Sequence, residues 1–148
     1  MAAEDFQGDL LIGMAQLLAA AGLGVWSPTL GYAAGATGIV LDATPETLDR
    51  AIQLSSYPVA DDPGFRSDLI GLQTIVRWGG GDPLPSRRLD EQIFQALQGR
   101  THFVLSTGVH VTSCSRRSGA TLGIDSSKRW SRSSNYYLRV LHPTTHRL

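Results

Sequence analysis

Ten residues in the middle of the chain, Leu69 to Trp78, alternate in character. Ile70, Leu72, Thr74, Val76 and Trp78 fall on one face, and Gln73 and Arg77 fall on the other. That two-residue period is the pattern of a strand covered on one side. The run is bracketed by Asp61-Asp62-Pro63-Gly64 and by Gly79-Gly80-Gly81-Asp82-Pro83, both strong turn signals. It reads as the central strand of a sheet, and the cover for its apolar face has to come from elsewhere in the chain.

Two helices can supply that cover. From Asp5 to Ala21, Phe6, Leu10, Met14, Leu18 and Ala21 recur at spacings of four and three, with Gly22 after them as the stop. From Arg87 to Gln98, Leu89, Ile93 and Leu97 form a stripe with Phe94 beside it; Ser86 is the expected N-cap and Gly99 the stop. Further strands are expected at Ile39–Leu41, Arg50–Tyr57 and Asn135–His142, with a hairpin of Thr101–Ser106 and Val109–Ser115 across Thr107-Gly108. The order predicts an α+β fold over residues 1–148 as a single domain. It has a mainly antiparallel sheet, both helices on one face, and long loops at 27–38, 57–68 and 113–134.

Composition excludes several classes. One cysteine, Cys114, allows no internal disulfide, and a single Cys with four scattered His builds no structural zinc site. Leu10 to Ala21, the longest apolar stretch, falls short of a membrane span, so neither an anchor nor a signal peptide is expected. Charged residues make up 18% of the chain and the formal net charge is zero, a lightly charged surface of the kind that associates. The zero hides a split. Residues 1–74 carry nine carboxylates against Arg50 and Arg66, a balance of −7, and residues 75–148 carry eleven basic residues against four carboxylates, +7.

No pattern of catalytic residues emerges. The Gly79–Asp82 run precedes a helix but lacks the phosphate-loop spacings, and Pro83 and Pro85 remove amide donors. Cys114 and His110, four residues apart on one strand, are expected on the same face about 13 Å apart, too far to pair. The histidines have no ligand spacing, and Asp61-Asp62 reads as a solvated turn. No catalytic, cofactor-binding or metal site is expected, and the chain is not read as an enzyme.

The strongest physical feature is the segment 113–134, with eight serines, five basic residues and one acid. So little aliphatic content predicts a flexible loop, or a hairpin that orders against a partner. Arg116, Arg117, Lys128, Arg129 and Arg132, with Arg77 at the end of the central strand, are the candidate contacts to a neighbouring subunit or to DNA. Changing Arg116, Arg117, Arg129 or Arg132 to Glu is expected to block assembly and leave the monomer folded.

Four stretches together resemble a family of bacteriophage structural proteins, the tail terminators of long-tailed phages, also described as minor capsid or tail completion proteins. They are the helix opened by Asp5-Phe6; Gly71–Trp78 leading through a glycine turn into the helix that ends Leu97-Gln98-Gly99; Gly119–Asp125; and Arg129–Val140. The resemblance implies a hexameric ring at the head-proximal end of the tail tube. Such a ring halts tube polymerisation, meets the head-tail connector and passes DNA through its lumen, without a cofactor. It implies a virion protein of the neck, assembled in the host cytoplasm. A head-closure or neck connector protein, and a small nucleic-acid-binding domain using the basic C-terminal half, are the alternatives.

Overall fold

The computed structural model describes residues 5–147, so Glu4 of the acidic half lies outside them. Helix α1 spans Phe6–Ala20 and opens on Asp5, whose carboxylate accepts the Gly8 amide at 2.9 Å, satisfying one of the first-turn donors. It buries Leu10, Leu11, Met14, Ala15 and Leu18. Its end wraps around Gly22 at φ +80°, where the Leu23 amide reaches the Leu18 carbonyl.

The strands that follow are β1 (Val25–Trp26), β2 (Gly38–Leu41), β3 (Arg50–Ala60) and β4 (Ser67–Trp78). Helix α2 (Leu84–Leu97) comes next, then β5 (Thr101–Val104), β6 (His110–Ile124) and β7 (Trp130–Leu141). All seven strands join one sheet in the order β1-β2-β3-β4-β7-β6-β5. Registers place Ile52 beside Val76, Leu72 beside Tyr136 and Ile70 beside Leu138, so one face is apolar across the central strands. Both helices pack on that face, α1 against β1, β2 and β3, and α2 against β4, β6 and β7. Ile93 is fully buried there, and trimming it to valine is expected to cost about 1 kcal/mol in urea unfolding with an unchanged denaturant slope.

Direction meets the expectation of a mainly antiparallel sheet only in part. The four pairings from β3 to β5 are antiparallel, but β1–β2 and β2–β3 are parallel, so the sheet is mixed. Alternation in a sequence reports which face a side chain takes and is silent on strand direction. Asp42, at φ +66°, turns the chain back after β2, and Leu48 in the return packs with Tyr32, Val40 and Ala51 in a second, smaller cluster. Because Ala51 neighbours Ile52 on β3, this cluster lies on the face opposite the helices.

Two expected loops shorten. The turn between β3 and β4 occupies only residues 61–66, and most of 113–134 lies in β6 and β7, joined through residues 125–129. Low aliphatic content argues for a loop only where apolar burial is the sole reward for ordering. On a strand the backbone ladder also contributes, and side chains on an uncovered face need not be apolar. Helix α2 also begins earlier than expected, at Leu84. Pro85 occupies its first turn, where no amide partner is required. Ser86 therefore lies inside the helix instead of capping it, and its hydroxyl donates to the Pro83 carbonyl at 2.9 Å.

Candidate assembly surface

The face of the sheet away from the helices is covered only at its β1–β3 end, by the small cluster and the return through 42–49. Its remaining positions are rich in hydroxyl and amide groups. Tyr57 lies across Gly71, where an added Cβ would meet the tyrosine ring at 2.1 Å. The Tyr57 hydroxyl donates to Asn135 Oδ1 at 3.1 Å, and Asn135 Nδ2 donates to Ser118 Oγ at 3.1 Å. Strands β3, β6 and β7 contain no carboxylate, and the one on β4, Asp68, shares the helix-side face with Ile70 and Val140. Arg139 and Arg117 are exposed on this face, whose strand positions carry no carboxylate, Arg117 with its guanidinium 5.4 Å from the centre of the Tyr137 ring.

The six basic residues singled out from the sequence separate into two groups. Arg129 is 4% exposed and fully engaged. Its Nε donates to Asp125 Oδ2 at 2.8 Å, one terminal nitrogen donates to the Glu46 carbonyl at 2.6 Å, and the other donates to the Glu46 carboxylate at 2.5 Å. Asp125 also accepts the amides of Ser127 and Arg129, an Asx-type turn. These amides and the guanidinium, the Arg129 amide foremost, hold the Asp125 carboxyl below the usual carboxylate range. Arg77 donates to the Pro45 and Leu48 carbonyls at 3.2 Å each, pinning the return between β2 and β3.

Arg116 and Arg132 converge on Asp90, a buried carboxylate of α2. Arg132 Nε lies 3.3 Å from it, Arg116 lies 3.8 Å away while its guanidinium stacks 4.2 Å from the Phe94 ring centre, and the Ser134 hydroxyl donates to it at 2.8 Å. Asp90 therefore ties α2 to the β6–β7 hairpin. Lys128, exposed in the 125–129 turn at φ +59°, and Arg117 remain directed at solvent. Among the described residues, Arg117 has no ion-pair partner. Arg117→Glu is expected to leave unfolding stability within about 0.5 kcal/mol of the parent in thermal or urea melts.

The glycine turn before α2 is used structurally. The Gly81 amide donates to the Lys128 carbonyl at 3.0 Å, and Trp130 Nε1 donates to the Gly81 carbonyl at 2.9 Å, so this turn holds the tip of the β6–β7 hairpin. Cys114 and His110 do not share a face as their spacing predicted. A bulge between Val111 and Ser113 shifts the register, leaving His110 opposite Leu141 and Cys114 opposite the buried Leu138. Burial pushes the Cys114 thiol up to about 12, which leaves it protonated and unreactive at neutral pH. No group of three or more potential metal-ligating side chains occurs among the described residues.

One ion cluster had no sequence signal. Asp68, 2% exposed, is held by Arg147 through two bonds, at 2.5 and 2.9 Å, and by His142 Nδ1 at 3.0 Å. Its partners are 79 and 74 residues away in the chain, and only the β4–β7 register, with Ser67 opposite Leu141, brings them together.

A family model described as bacteriophage tail terminator protein matches residues 17–141. A chain of the solved structure described as the virion of a native gene transfer agent particle has the same fold, with a TM-score of 0.65 at 18% identity. The match covers 94% of this chain and 99% of that one. No curated protein sequence matches.

Proposed function

The chain belongs to the bacteriophage tail terminator family, a family of virion structural proteins, and from that premise we propose that it forms a ring at the head-proximal end of a phage tail tube. The ring ends tube growth and presents a surface to the head connector, with DNA passing through its centre. The carrying observation is family membership over residues 17–141. The surface adds support, since the uncovered β6–β7 part of that sheet face displays Arg117 and Arg139 and no strand carboxylate, which suits contact with acidic neighbours or with passing phosphates.

In this reading the neck of the virion is the site of action and assembly takes place in the host cytoplasm. Residues 1–148 act as one domain, and copies meet head to tail, six to a ring, the basic side of one against the acidic side of the next. Rotation closes such a contact. Arg117 and Lys128 are the members of the original six that reach a partner; Arg77, Arg116, Arg129 and Arg132 shape the surface from within.

The test is mass by light scattering over a rising concentration series, with negative-stain images of the same samples. Rings of one size, alone or on tube ends, are the expected result. A strict monomer that ignores tubes and binds duplex DNA with a steep salt dependence would favour the nucleic-acid module instead.

A further inference from the structure

The turn between β3 and β4 is unusually well fixed for a surface loop. Asp62 Oδ1 accepts the Gly64 amide at 2.8 Å and the Phe65 amide at 2.7 Å. Arg147 donates to the Asp62 carbonyl at 3.0 Å and to the Phe65 carbonyl at 3.3 Å while paired with the buried Asp68. His142, on the same carboxylate, stacks on Phe6 with ring centres 3.8 Å apart. All of this holds in place a turn whose apex displays a phenyl ring, Phe65, that is 72% exposed. An aromatic side chain presented on an ordered turn loses little entropy on binding, the property of an anchor residue.

The same chain carries a recess of matching character. Between α1 and β5 lies an open groove of about 260 Å³, lined by Leu17, Ala20, Phe103 and Val104, with Arg100 on its rim. Val104 is 57% exposed, and the Arg100 guanidinium stands 4.9 Å from the Phe103 ring centre. A cavity of about 150 Å³ is enough for a benzene ring, so the groove accommodates a phenyl group. No carboxylate lines it, whereas Asp61 is exposed four residues before Phe65.

Resting on the ring reading above, we infer that Phe65 of one copy seats in the α1–β5 groove of the next, with Asp61 meeting Arg100. Phe65 does not fill the groove of its own chain: the fixed turn that carries it adjoins Phe6 and Gln7 at the start of α1, whereas the groove runs along Gly13 to Ala20 further down the helix. Knob and groove at two separate places on one molecule make a heterologous contact, which propagates from copy to copy until rotation closes it. The pairing runs in the sense of the charge split, since Asp61 belongs to the acidic half and Arg100 to the basic half.

The experiment compares the full chain with Phe65→Ser, Arg100→Glu and the swap Asp61→Arg/Arg100→Glu, by light scattering and by capping of tail tubes. Each variant is first shown by thermal melting to fold. Phe65→Ser and Arg100→Glu are expected to raise the concentration needed for association roughly tenfold or more, and the swap to recover most of it. In a Cys114→Ser background, Phe65→Cys and Val104→Cys chains mixed under oxidation are expected to crosslink as heterodimers. Rings that form equally well from Phe65→Ser and Arg100→Glu overturn the knob and leave the ring reading standing. Rings that persist but no longer cap tubes overturn self-docking and assign Phe65 to the tube protein. A parent chain that never associates, alone or on tubes, overturns both.

Discussion

Replacing Arg147 with methionine is expected to cost about 3 kcal/mol, because it takes the main partner from a carboxylate that is 2% exposed and leaves it only the Asp62 amide and His142. The methionine keeps much of the arginine stem's bulk, so the loss reports the charge and its hydrogen bonds. The pH dependence separates this from a packing defect. The Arg147 hydrogen bonds foremost, with help from the Asp62 amide and His142, hold the Asp68 carboxyl below the usual carboxylate range against the opposing effect of burial. A folded-state value below the unfolded one means that the stabilisation is complete above the unfolded carboxylate value of about 4 and disappears as pH falls through the folded value. In Arg147→Met the buried carboxyl has lost its main partner and its protonation is favoured instead. Urea melts of the two proteins are therefore expected to differ most at neutral pH and to converge on acidification. A constant gap across that range would mean that the pair contributes only packing.

Charge reversal at Arg129 is expected to cost about 4 kcal/mol, by placing a carboxylate in a 4%-exposed position among Glu46, Asp49 and Asp125. The cost comes from the buried position itself, since Glu46 and Asp49 are largely solvated and would not be stranded. This revises the expectation that any of the four hairpin arginines can be reversed without unfolding the monomer. Arg129→Glu is predicted to fail at folding, seen as a lowered urea midpoint, whereas Arg117→Glu folds and fails at assembly. If both variants fold alike and both block assembly, the clamp around Arg129 has been overvalued.

Much of the fold was legible because its signals are local. The alternation of Ile70, Leu72, Thr74 and Val76 appears directly as the buried face of β4, and Tyr136, Leu138 and Val140 do the same on β7. The stripe Leu89, Ile93 and Leu97 is the buried side of α2, and Gly22, Gly99 and Gly108 take the positive φ that their stop and turn positions require. What escaped depends on contacts distant in sequence. The parallel pairing of β2 with β3 follows from a reversal at Asp42 that has no glycine to mark it.

The surface was legible only in its composition. Arginine in a serine-rich segment looks the same whether it points to solvent, as Arg117 does, or sits over a buried carboxylate, as Arg132 does. Asp125 accepts from both the backbone and the guanidinium of Arg129 four residues on, and that spacing was the available hint of an internal role for Arg129. The partner of Asp68 and the knob at Phe65 had no such hint, because Arg147 reaches them only once β4 and β7 are paired.

The most direct test of the central claim is tube length. Tail tube protein is polymerised with and without the purified chain, and the length distribution and tube ends are measured in negative stain. Tubes that stop short when the chain is present, each with a ring at one end, are the expected result. Unchanged lengths with bare ends, from protein shown to be folded, would contradict the claim.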